Sequence, residues 1–95
     1  RLPPFSRLIH LVFGHTNESK SRKEAERLGS ELRYQCNVWD MVEVDVIGPA
    51  PAYPSRIRGR YRWHMLVRGP NPRVLLDKVD LPDGWVVDID PVSVL

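Results

Sequence analysis

Residues 59–68, GRYRWHMLVR, alternate between two kinds of side chain. Tyr61, Trp63, Met65 and Val67 share one parity; Arg60, Arg62, His64 and Arg68 share the other. Successive side chains of a strand project from opposite faces of its sheet, so this segment can bury only one face. The rest of the chain must supply further strands and an apolar layer to cover the Tyr–Trp–Met–Val face.

Other segments supply both. Residues 6–13, SRLIHLVF, predict a first strand ended by Gly14. Thr16 or Asn17 can cap a helix running to about Tyr34, with Ala25, Leu28 and Leu32 on one face. Gly29 inside it costs up to about 1 kcal/mol relative to Ala, which marks a place of close packing. Residues 41–47, MVEVDVI, predict a second strand with Val42, Val44 and Val46 inward and Glu43 and Asp45 outward. Residues 48–54, GPAPAYP, read as a stiff loop, because proline cannot donate to a ladder.

After the alternating strand, Asn71 can cap a short helix with Pro72 in its first position, running through Val74, Leu75, Leu76 and Val79. Leu81-Pro82-Asp83-Gly84 reads as a turn. The last strand places Trp85, Val87 and Ile89 inward. Trp63 and Trp85 are expected in the core. The order is β-α-β-β-α-β, an α+β chain of ferredoxin-like type: a four-stranded sheet with two helices on one face. Its 95 residues fit one small domain, residues 6–95, with the Pro3-Pro4 segment, residues 1–5, read as a linker from a longer chain.

Charge is distributed unevenly. The net charge is +2, yet residues 46–76 carry Arg56, Arg58, Arg60, Arg62, Arg68 and Arg73 and no acid. An arginine block of this kind points to an anionic partner, since its guanidinium forks match phosphate or carboxylate. A structural alternative is pairing of the outward arginines with Glu43, Asp45, Asp88 and Asp90 on other strands.

Several chemistries are disfavoured. His10, His15, His64 and Cys36 lack metal-ligand spacing, and the single cysteine permits no internal disulfide and fits a reducing cytoplasm. Cys36 reads as a small buried hydrophobe. There is no phosphate loop of the GxxxxGK[ST] type and no GxSxG elbow. Arg56-Ile57-Arg58-Gly59-Arg60 has a superficial likeness to the phosphate loop of acylphosphatases. Such a loop opens the first helix, whereas here Gly14-His15-Thr16-Asn17 stands there without an arginine. No run approaches the roughly 20 apolar residues of a membrane span. An RNA- or ribosome-associated binding domain of the same fold is the alternative from another class.

The elements Gly48-Pro49-Ala50-Pro51-Ala52, Arg56-x-Arg58-Gly59-Arg60-Tyr61-Arg62-Trp63 and Asp88-Ile89-Asp90-Pro91-Val92-Ser93-Val94-Leu95 resemble the C-terminal domain of the primosomal protein N-prime family. Those proteins are bacterial replication-restart DNA helicases. The opening Pro3-Pro4-Phe5-Ser6-Arg7-Leu8 is similar to the segment that leaves their helicase lobe. The resemblance implies an ATP-dependent 3′–5′ DNA helicase as parent, assembling primosomes at stalled forks in the cytoplasm, in association with the nucleoid. ATP, magnesium and zinc are implied for that parent, with no cofactor in this segment and no catalysis by it alone.

The partners implied are single-stranded or forked DNA, the single-stranded-DNA-binding protein and the rest of the helicase chain. Arg56, Arg58, Arg62 and Arg68 are the expected DNA contacts. Arg60 and His64 fall where the family holds the acidic C-terminal tail of the single-stranded-DNA-binding protein, with His64 in place of the usual Gln. His64 is expected to gain charge near its ordinary pKa of about 6.5.

Overall fold

The computed structural model describes residues 6–93. The linker expected over residues 1–5 lies outside them. The element order is β1 (Ser6–His15), α1 (Glu18–Val38), β2 (Asp45–Ile57), β3 (Arg60–Gly69), α2 (Arg73–Leu76) and β4 (Trp85–Ser93). Strands lie in the order β2-β3-β1-β4, every pairing antiparallel. The chain is thus α+β, with an antiparallel sheet and two helices.

Period-two patterning decides what is buried. Ile9 and Leu11 of β1 and Met65 and Val67 of β3 meet Leu28 and Leu32 of α1 and Leu75 of α2 in one core. Their alternates, among them His10, Val12, His64 and Leu66, lie on the face that no helix covers. Helix α1 begins as its sequence indicates: the Asn17 side chain accepts a hydrogen bond from the Lys20 amide at 2.9 Å. Gly29 is buried because a Cβ there would come within 2.8 Å of Pro49 Cδ.

Several expectations are corrected. Residues 41–44 precede the strand, with a turn at Val42 and Glu43, and Val42 is 82% exposed. The second strand instead runs through the proline segment. That is possible because β2 is a sheet edge, and Pro49 and Pro54 fall in the two breaks of its pairing with β3. Its pairing with β3 shifts between Ile47 and Ala50 and again between Pro51 and Arg56. Arg33 of α1 donates to the Val46 and Gly48 carbonyls at the first shift.

Helix α2 is a single turn with Pro72, not Asn71, at its cap and no side-chain capping bond. It is too short to cover β4, so Val87 and Ile89 keep 38% and 39% of their surface despite their inward parity. Trp63 and Trp85 are half-buried rather than core. Trp85 packs beside Phe13, at 5.1 Å between ring centroids, and its indole N–H donates to Glu24 at 2.8 Å.

Candidate anion-binding interface

Strands β2 and β3 are joined by a two-residue turn, Arg58-Gly59, between the paired Ile57 and Arg60. Both turn residues have positive φ, 53° and 78°, as the tight hairpin turn matched to strand twist requires. Glycine and asparagine adopt that backbone most readily; arginine in the left-handed region carries strain of about 1–3 kcal/mol. Retained strain of this kind is common where a side chain is held for a contact.

Arg58, Arg60 and Arg62 line one cavity of about 560 Å³ on the uncovered sheet face. Val12, Gly14, Ile57, Gly84 and Val86 form its remaining walls, so three guanidinium groups rim an apolar floor. Arg62 is steadied by a hydrogen bond from Nη1 to the Pro54 carbonyl, 3.0 Å, at the second irregularity of β2. Among the described residues, the ion pairs formed are Arg27–Glu24 and Arg68–Asp45. None involves Arg58, Arg60 or Arg62, so no described carboxylate pairs with the rim.

The other expected residues lie apart from this rim. Arg56 pairs with Tyr61, whose parity is that of Trp63 and Met65, so it belongs to the opposite face of the hairpin. Its guanidinium carbon sits 5.6 Å from the Tyr61 ring centroid, and Nη1 donates to the Tyr61 hydroxyl at 3.3 Å. Arg68 lies six residues beyond Arg62, about 20 Å along the strand, and its guanidinium donates to Asp45 at 2.9 Å. Among the described residues, the cross-strand pairing foreseen for the arginine face therefore occurs at this one position; Asp88 forms no ion pair there, Glu43 is in a turn, and the Asp90 side chain is outside the described residues.

His64 shares the uncovered face with Arg60 and Arg62 but does not line the cavity. It lies about 13 Å along the strand from Arg60. Its Nδ1 is 3.0 Å from Nε2 of His10. Burial, the neighbouring His10 and Arg62 all hold its pKa below the ordinary histidine value, which corrects the expectation of charging near 6.5. Cys36 is half-buried against the core, and burial pushes its thiol pKa up, which disfavours the reactive thiolate.

The site and fold together define a small α+β domain with an arginine-rimmed cavity on its open sheet face. Its sequence matches the family model described as the primosomal protein N C-terminal domain over residues 1–92. The chain belongs to that family. It is similar to the replication restart protein PriA of Treponema pallidum, 34% identical over 98% of this chain and 15% of that protein. It is also similar to the replication restart protein PriA of Synechocystis, 37% identical over 97% of this chain and 10% of that protein. The chain thus spans between a tenth and a sixth of the length of these relatives.

Proposed function

We propose that this chain is a DNA- and protein-binding accessory domain of an ATP-dependent 3′–5′ DNA helicase that restarts stalled replication forks and assembles the primosome. The single observation that carries the reading is the cavity rimmed by Arg58, Arg60 and Arg62, with no carboxylate in ion-pair range among the described residues. Membership of the primosomal family and its likeness to replication restart proteins support the replication-restart setting. The ferredoxin-like reading of the topology is supported by the order β2-β3-β1-β4, with a helix in each β-α-β half.

In this reading ATP, magnesium and zinc belong to other parts of the parent, and the working place is the cytoplasm. No helix of the described residues is long and apolar enough to cross a membrane.

The cavity suits two anions of different shape. A guanidinium fork takes a terminal carboxylate through two parallel hydrogen bonds, and Arg60 is assigned this role toward the acidic tail of the single-stranded-DNA-binding protein. The floor of Val12, Ile57 and Val86 can hold an apolar side chain of the same tail. Arg58 at the hairpin tip and Arg62 are assigned to DNA phosphates, with Arg56 approaching from the other face and Arg68 a peripheral contact. Neutral His64 donates one hydrogen bond at most, which fits a positioning role beside the tail better than direct capture of its charge.

The test is binding of a thymidine oligonucleotide to the full-length protein as salt is raised. Each phosphate contact on a single strand contributes about −0.7 to the log–log slope. Replacing Arg58 and Arg62 by Ala should flatten the slope by roughly two such contacts. An unchanged slope removes DNA from the cavity's assigned ligands.

A further inference from the structure

Beyond the arginine cavity, the opposite face of the same sheet end carries an aromatic and cationic lane. Cross-strand pairing sets Arg56 of β2 beside Tyr61 of β3, and Tyr61 beside His15 of β1. Adjacent strands are about 4.8 Å apart, so these three residues form a row roughly 10 Å long across the sheet. The row leads into a second cavity of about 480 Å³. His15 lines it with its ring stacked on buried Phe13, at 21° with centroids 6.2 Å apart, and Lys20 and Lys23 from the first turns of α1 line the same cavity.

The groups there are arranged for a ligand with a flat ring and a negative backbone. His15 is fixed: its Nδ1 accepts the Asn17 amide at 2.9 Å, which leaves Nε2 as the nitrogen turned away from that bond. Arg27 and Glu24 neutralise each other at 2.8 Å, and Glu24 also accepts from Trp85, so this carboxylate is already engaged. Asp83 is the remaining acid on the wall, against two lysines. A phosphate-only ligand gains nothing from the aromatic rings, and a duplex keeps its base faces stacked on one another. Unpaired bases offer both a π-face and an adjacent phosphate.

We propose that this lane, Arg56–Tyr61–His15 with Lys20 and Lys23, is a base-stacking subsite for single-stranded nucleic acid on the hairpin face opposite the Arg58–Arg60–Arg62 cavity. The subsite rests on the DNA-binding reading above and goes beyond it in naming unpaired bases as the ligand. It also places the bases on the face opposite the arginine cavity, so stacking there leaves Arg60 free for an acidic peptide while Arg58 and Arg62 meet the strand's phosphates.

The experiment is photo-crosslinking of a 5-iodouracil-substituted thymidine oligonucleotide to the full-length protein, with crosslinked peptides mapped by mass spectrometry. Crosslinks are expected at Tyr61 or His15. Tyr61→Ala should lower their yield about five-fold or more, the low end of the cost of losing one stacked base, while Tyr61→Phe retains it. His15→Gln serves as a second variant should Tyr61→Ala lower the melting temperature. Crosslinks confined to the Arg58–Arg62 side, indifferent to Tyr61→Ala, would overturn the subsite and leave the DNA-binding reading standing. A chain without any crosslink between residues 6 and 93 would overturn both.

Discussion

Nε2 of His10 and Nδ1 of His64 lie 3.0 Å apart across the β1–β3 pairing, with their ring planes crossing at 79°. One nitrogen must donate and the other accept, so the contact is made by two neutral rings or by a pair sharing one charge. Adding a second charge sets two imidazolium rings against each other, with Arg62 near by. The His64 ring sits beside Val12 and Ala50 on the uncovered face, where burial takes water from its charge.

Stability should therefore fall on mild acidification. His64 titrates below its ordinary 6.5 because of burial first, then His10 and Arg62. The unfolded chain thus binds its proton at a higher pH than the folded chain does. The histidine contribution is whole above about pH 6.5 and is lost as pH falls through the depressed value. Melting temperature measured from about pH 8 down to about pH 5 should drop across this window, and His64→Gln should flatten the profile there.

Helix α1 and the edge strand meet without spare room at Gly29. Its absent Cβ is what lets Pro49 approach, and a methyl group would sit 2.8 Å from Pro49 Cδ. Alanine raises helix propensity by about 1 kcal/mol, but overpacking costs about 1–3 kcal/mol. Gly29→Ala should be net destabilising in urea unfolding. A variant more stable than the parent sequence would show that Pro49 can retreat freely.

Arg68 should behave differently from the arginines of the cavity. It is half-exposed and paired with an equally exposed Asp45, a contact worth about 0–1 kcal/mol. Arg68→Ala should leave the salt slope of oligonucleotide binding nearly unchanged, where Arg62→Ala flattens it. Equal effects of the two replacements would mean that the nucleic acid spans about 20 Å of β3 and displaces Asp45.

Alternation made the sheet readable from residues alone. Ile9, Leu11, Met65 and Val67 are buried by parity, and Ala25, Leu28 and Leu32 by helical spacing. The capping role of Asn17 and the close approach at Gly29 were legible for the same reason, because each is a local requirement written in one residue. The edge strand was not. Prolines at 49, 51 and 54 argue against a ladder, and only the position of β2 at the sheet edge, a long-range fact, removes the objection. The valines at 42, 44 and 46 alternate as a strand should, yet the first two precede the strand.

The arginine block was visible as charge, but its division was not. Parity groups Arg58 with Arg60 and Arg62 as though all three stood on a strand, whereas Arg58 turns the hairpin. Arg56, beyond the two-residue turn, pairs with Tyr61 and so falls on the other face. The lane formed with Tyr61 and His15 depends on cross-strand register, which a single sequence does not specify.

The central assignment is that the arginine cavity captures an acidic tail, with Arg60 as the fork for its carboxylate. Its most direct test is calorimetric titration of the full-length protein with a peptide of the single-stranded-DNA-binding protein's acidic C-terminus, free or amidated at its end. Arg60→Ala should weaken the free-acid peptide by about 1.5–3 kcal/mol, Arg60→Lys should recover part of the loss, and amidation should weaken binding to the unaltered protein while changing little for Arg60→Ala. Equal affinity of the unaltered and Arg60→Ala proteins for the free-acid peptide would contradict the assignment.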